Sequence, residues 1–189
     1  MISAFEYVTV LISIILGLGI TQILTAIADL IHQSKRVKVY WPHLLWVIIV
    51  LILHVQEWWI TYDLKSYAPW RLSTFLFIMV YPIVLFILAR LLFPFGLQEG
   101  TIDLKLFYKE NYRKIFLFAI GLALLGILDS LLIRGDSLLS QLLKMVMPMV
   151  FSVLYFKQAP EWVHKLVSIA FLALLVITIA VEWNVWLIG

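Results

Sequence analysis

None of the 189 residues is cysteine. That excludes disulfides, thiolate nucleophiles, iron–sulfur clusters and cysteine zinc sites, and it leaves no redox mark of the compartment. Charge is also scarce: Asp, Glu, Lys and Arg make up 13% of the chain, against roughly 25% in soluble domains. With 64% of residues apolar, the chain cannot cover its own apolar surface in water. The start, MISAFEY, lacks a basic leader region, so no cleaved signal peptide is expected. Nucleophile elbows, H-E-x-x-H sites and phosphate loops are missing too. Gly17 and Gly19 lie inside an apolar run with no strand before them. His43 and His54 are about 16 Å apart along one helix axis, too far to share an ion. No metal or cofactor is expected; membrane enzymes can lack such patterns, so a non-enzymatic role is favoured and an enzymatic one stays open.

What is present is a series of long apolar runs. A spanning helix needs about 20 mostly apolar residues, and six segments approach or meet that length, at about 5–31, 41–62, 72–93, 115–133, 138–156 and 166–188. The reading is a single all-α domain, a polytopic transmembrane bundle of six spanning helices. The basic, aromatic stretch 102–114 suits a short interfacial helix between spans three and four, or a solvated lead-in to the fourth. Lys35, Arg36, Lys38, Arg90, Lys105, Lys109, Arg113, Lys114, Lys157 and Lys165 fall in or beside the first, third and fifth connections. Only Lys65, Arg71 and Arg134 fall on the other side. The positive-inside rule then puts both termini outside. The net charge of +3 is accordingly read as topology, with no nucleic acid as partner.

An ionisable side chain in a span costs about 3 kcal/mol on insertion scales and so faces protein or a water cavity. The second span carries His54 and Glu57 with Thr61 beyond, on one helix face. Asp129 in the fourth span, and Gln141 and Lys144 in the fifth, belong to the same outer leaflet. Glu6 and Glu182 lie nearer the ends of the first and sixth spans. His54, Glu57, Asp129 and Lys144 are the leading candidates for binding an ion or proton, with Lys144 neutralised by Glu57 or Asp129. Glu6, Glu182, Thr61 and Gln141 are secondary. In the first span Ser13, Gly17, Thr21 and Thr25 recur every four residues as a ridge of small side chains. Such ridges let helices approach closely, here inside the protomer or against another copy.

Two stretches, SAFEYVTVLISIILGLGITQIL and YWPHLLWVIIVLILHVQEWW, resemble the opening of a family of small uncharacterised bacterial multi-span proteins. The resemblance covers the first third of the chain. It implies a bacterial inner-membrane setting and carries no activity or site. The leading functional expectation is a channel or transporter-like protein moving a small ion or proton through the outer-leaflet polar cluster. The alternative is a non-transporting sensor, scaffold or effector subunit. Partners expected are the lipid bilayer, further copies of the chain and, for the alternative, a cytoplasmic protein.

Overall fold

The structure is a computed structural model that describes residues 3–94, 100–135 and 138–181, with side chains at 138–144 outside the description. The described residues are all-α, with six α-helices: α1 Ala4–His32, α2 Trp41–Ile60, α3 Leu72–Leu91, α4 Leu104–Leu132, α5 Leu138–Phe156 and α6 Glu161–Val181. Five of them, all but α5, are long and apolar enough to cross a membrane; α5 contributes a shorter described apolar stretch, Met145–Phe156. Residues such as Leu18, Leu24, Leu76, Ile87, Leu117, Leu124 and Ile177 remain exposed around the outside. Apolar surface on that scale marks a lipid-facing wall.

Helix ends follow local chemistry. Ser3 and Glu6 cap α1 reciprocally: Ser3 N–H donates to Glu6 Oε2 at 2.7 Å, and Glu6 N–H to Ser3 Oγ at 3.1 Å. This capping box satisfies two of the donors that a helix start leaves unpaired. Pro42 opens α2, where its missing N–H costs nothing. A 3-10 turn, Thr61–Ser66, follows α2 directly, where the sequence suggested span up to 62 and then loop.

Of the two readings of 102–114, the helix follows the lead-in to the fourth span and not a separate interfacial helix: α4 runs unbroken from Leu104 to Leu132. Asp103 caps it by accepting Lys105 N–H and Leu106 N–H, both at 3.0 Å. Lys and Arg are good helix formers, and Leu104, Tyr108 and Ile115 place one inward stripe along the charged turns. At 1.5 Å per residue α4 is about 44 Å long, against about 30 Å of hydrocarbon, so its charged start extends beyond the bilayer core. Immediately before it, Ile102–Asp103 pairs in parallel with Val37–Lys38, the only strand pair among the described residues. That pair ties the α1–α2 connection to the start of α4.

Helix directions follow from end contacts. Phe5, at the start of α1, meets Tyr62 just past α2, with ring centroids 6.3 Å apart. Tyr40, Tyr108 and His164, from the starts of α2, α4 and α6, are neighbours at 5.6 Å each. Thus α2, α4 and α6 run one way and α1 the other. In mid-molecule Trp46, Phe116, Phe151 and Phe171, one ring each from α2, α4, α5 and α6, pack at 5.4–5.8 Å.

Candidate functional site

The end of α2 and the 3-10 turn after it face the end of α4 across a cavity of about 750 Å³. Its floor is aromatic, with Trp46, Phe151 and Phe171, and its polar groups gather toward the mouth: Gln56, Glu57, Thr61, Asp63, Tyr81, Asp129, Ser130 and Arg134. Arg134 clasps two acids from different elements. Its Nη1 lies 3.1 Å from Asp63 Oδ2, and its Nε 3.1 Å from Asp129 Oδ2. Burial opposes the guanidinium charge, but the hydrogen bonds and charges of Asp129 and Asp63 more than offset it, so Arg134 is held above its ordinary value.

Sequence reasoning assigned the neutralising cation to Lys144. Asp129 pairs with Arg134, the residue that closes the fourth span in the sequence; the pairing expected of Lys144 lies outside the described side chains. A C-terminal Arg five positions past an Asp can fold back on it, and that spacing was the available signal. Lys144 and Gln141 lie on α5 among side chains outside the description, and Glu182 lies outside the described residues altogether.

Glu57 is half-buried on the cavity wall, within electrostatic reach of Asp129, Arg134 and Tyr81. Among the described residues its carboxylate has no ion pair and no hydrogen bond. Its backbone carbonyl accepts from Thr61 Oγ1 at 2.8 Å. Nearby, Gln56 Oε1 is buried without a donor. Glu57, Thr61 and Asp129 are therefore brought together, as one helix face and a shared depth suggested.

His54 is not among them. Fully buried, it donates Nδ1–H to Val50 O at 2.7 Å, and its ring lies against Gly19 of α1, where a Cβ would come within 2.6 Å of Cδ2 and closer still to Nε2. It faces a helix seam rather than the cavity. Glu6 is exposed and engaged in the capping box described above.

The small-residue ridge of α1 also falls elsewhere than inside the protomer. The packed face of α1 is Val8, Ile12, Leu16, Gly19 and Ile23. Ser13 and Gly17 are only half-buried, Thr21 and Thr25 are exposed, and a Cβ on Gly17 would meet nothing within 4 Å. Large aliphatic side chains bury more area against α2 and α3 than small ones, so they take the inward face.

Sequence reasoning missed a second cavity, about 470 Å³, at the opposite end of the molecule, lined by Tyr40, Tyr108, Tyr112, Lys109, Arg113, Glu161 and His164 among others. Tyr108 and His164 share a hydrogen bond of 3.1 Å between Oη and Nδ1. Glu161 bridges Lys105 and Lys165 at 2.7 and 2.9 Å. Burial first, and the Glu161 charge second, hold the Tyr40 phenol above its usual range. Next to this cavity His43 is wholly buried, with neither ring nitrogen hydrogen-bonded, edge-on to Phe93, Phe107 and Tyr108. Only the fold brings 108 and 164 together; nothing in their local sequence does. Phe116 links the two halves: it packs on Trp46 and Phe151 above and stacks on His164 at 5.9 Å below. Among the described residues no group of three His, Cys, Asp or Glu could hold a metal ion. Comparison with protein-family models, curated proteins and solved structures finds no match for this chain.

Proposed function

We propose that this protein is a six-span bacterial inner-membrane transporter or channel-like protein that moves a proton or small ion, with Glu57 as the exchanging group. The observation that carries the reading is the pair of cavities at opposite ends, separated by one aromatic layer of Trp46, Phe116, Phe151 and Phe171. A chamber at each end that carries polar groups, with a thin apolar barrier between them, is the arrangement that access from alternating sides requires. A carboxylate that no described side chain pairs is balanced by a proton or by a mobile cation. Asp129 and Asp63 share the single charge of Arg134, so each has a guanidinium nitrogen 3.1 Å away, which Glu57 lacks among the described residues.

The Lys and Arg asymmetry supports an orientation with both termini and the Glu57 cavity outside, and the His164 cavity toward the cytoplasm. The ridge Ser13, Gly17, Thr21 and Thr25, half-buried to exposed against the described residues, supports contact with a second copy of the chain. That same ridge also favours the second reading, a non-transporting subunit acting through oligomerisation or a cytoplasmic partner.

Flux into liposomes holding the purified protein, followed with an internal pH dye under an imposed potential, separates the two. Protein-dependent proton flux that Glu57→Gln abolishes, with folding unchanged, is the expected outcome. Wild-type protein that is well folded and carries no flux at any polarity or pH leaves the second reading in its place.

A further inference from the structure

The Glu57 cavity is far larger than a bare ion requires. At about 30 Å³ per water, 750 Å³ would hold roughly 25 waters, and the volume falls in the range of sites for drug-sized ligands, about 300–1,000 Å³. Its walls are unlike an aqueous vestibule. Trp46, Trp59, Phe77, Tyr81, Phe151 and Phe171 all line it, whereas the polar groups sit toward one end.

Aromatic faces attract cations, most strongly when the site is dry. Glu57 contributes a negative charge that no described side chain pairs, and Gln56 contributes a buried acceptor oxygen without a donor. Arg134 does not cancel the charge at Glu57, because both its bonds go to Asp129 and Asp63. Resting on the transport reading above, we infer that the cargo is a bulky organic monocation, seated among the aromatic rings with its charge beside Glu57 and exchanged there for a proton.

Every group facing Glu57 bears on that exchange. Tyr81 comes from α3, Asp129 and Arg134 from α4 and its end, and Asp63 from the 3-10 turn. From α5 and α6 the described lining, Met147, Phe151, Phe171, Leu174 and Thr178, is uncharged. Glu57 is thus the acid at which proton and cation compete, and cation binding should weaken as pH falls.

The test is tetraphenylphosphonium binding to the purified protein, read by tryptophan quenching, beside triphenylphosphine oxide as a neutral probe of related shape. Saturable binding of the cation alone is expected, weaker at low pH and at least about tenfold weaker in Glu57→Gln. Phe77→Leu, which leaves every charge in place, is expected to weaken the cation selectively and keeps the inference testable if Glu57→Gln does not fold. Equal binding of the neutral probe would mean an apolar pocket filled by lipid, and would overturn the inference. Cation binding indifferent to Glu57→Gln and to pH would overturn it as well. Absence of cation binding alongside Glu57-dependent proton flux would sink the cargo assignment and leave the transport reading standing; absence of both would remove the two together.

Discussion

At the scale of single residues, two glycines on one helix illustrate opposite uses of a missing side chain. Gly19 admits the His54 ring; Gly17 faces open space. Gly19→Ala forces a fully buried imidazole to shift, and overpacking of this kind costs about 1–3 kcal/mol. Gly17→Ala meets nothing and gains up to about 1 kcal/mol of helix propensity. Equilibrium unfolding in detergent should rank the variants Gly17→Ala, wild type, Gly19→Ala from most to least stable. His54→Ala in the Gly19→Ala background should recover part of the loss. Were Gly17→Ala instead to lose an oligomer seen in wild type, the ridge would be an interface between copies. From sequence, His54 and Glu57 looked equivalent, polar groups three apart on one helix. Their neighbours separate them, since one turn of a helix is enough to move a side chain from a seam to a cavity wall.

At the scale of elements, Arg134 fastens the turn after α2 to the end of α4. Its partners are unequally exposed, with side-chain accessibilities of 65% for Asp63 and 28% for Asp129. Exposed ion pairs contribute about 0–1 kcal/mol, so Asp63→Asn should change stability by under about 0.5 kcal/mol. Arg134→Ala strands the less exposed Asp129 as well and should cost about 1–2 kcal/mol. Hydrogen exchange should then rise over Thr61–Ser66 before it rises in α2 itself. Equal protection in wild type and Arg134→Ala would show that the clasp does not hold the turn. The long α4 makes a related point: the charges along 105–114 left an interfacial helix and a lead-in to the fourth span equally open, and the inward stripe of Leu104 and Tyr108 continues through them. Hydropathy averages over a window, and so it loses a stripe that only one face carries.

At the scale of the whole molecule, the cysteine-free sequence makes topology directly measurable. A single cysteine replacing Lys65, beside the Glu57 cavity, should react with a membrane-impermeant maleimide in intact cells. One replacing Lys109, at the His164 cavity, should react only after the membrane is opened. The reverse pattern would invert the orientation and place the Glu57 cavity on the cytoplasmic side. The parallel run of α2, α4 and α6 makes the two labels opposite whichever way the bundle is inserted. Both labelling at the same face would contradict the arrangement of helices.

Sequence alone determined that the chain is helical and lipid-facing, roughly where its helices lie, and that Glu57 and Asp129 share a depth. These properties depend on composition and on a fixed rise per residue, which need no knowledge of neighbours. Only the tertiary structure decided that Arg134 holds Asp129, that His54 abuts Gly19, that the α1 ridge faces outward, and that Tyr108 and His164 meet behind an aromatic layer. Each of these depends on how the helices are rotated about their axes and which ones adjoin. In a chain with so many apolar residues, nearly every helix face could serve as the buried one, and side-chain packing alone selects among them.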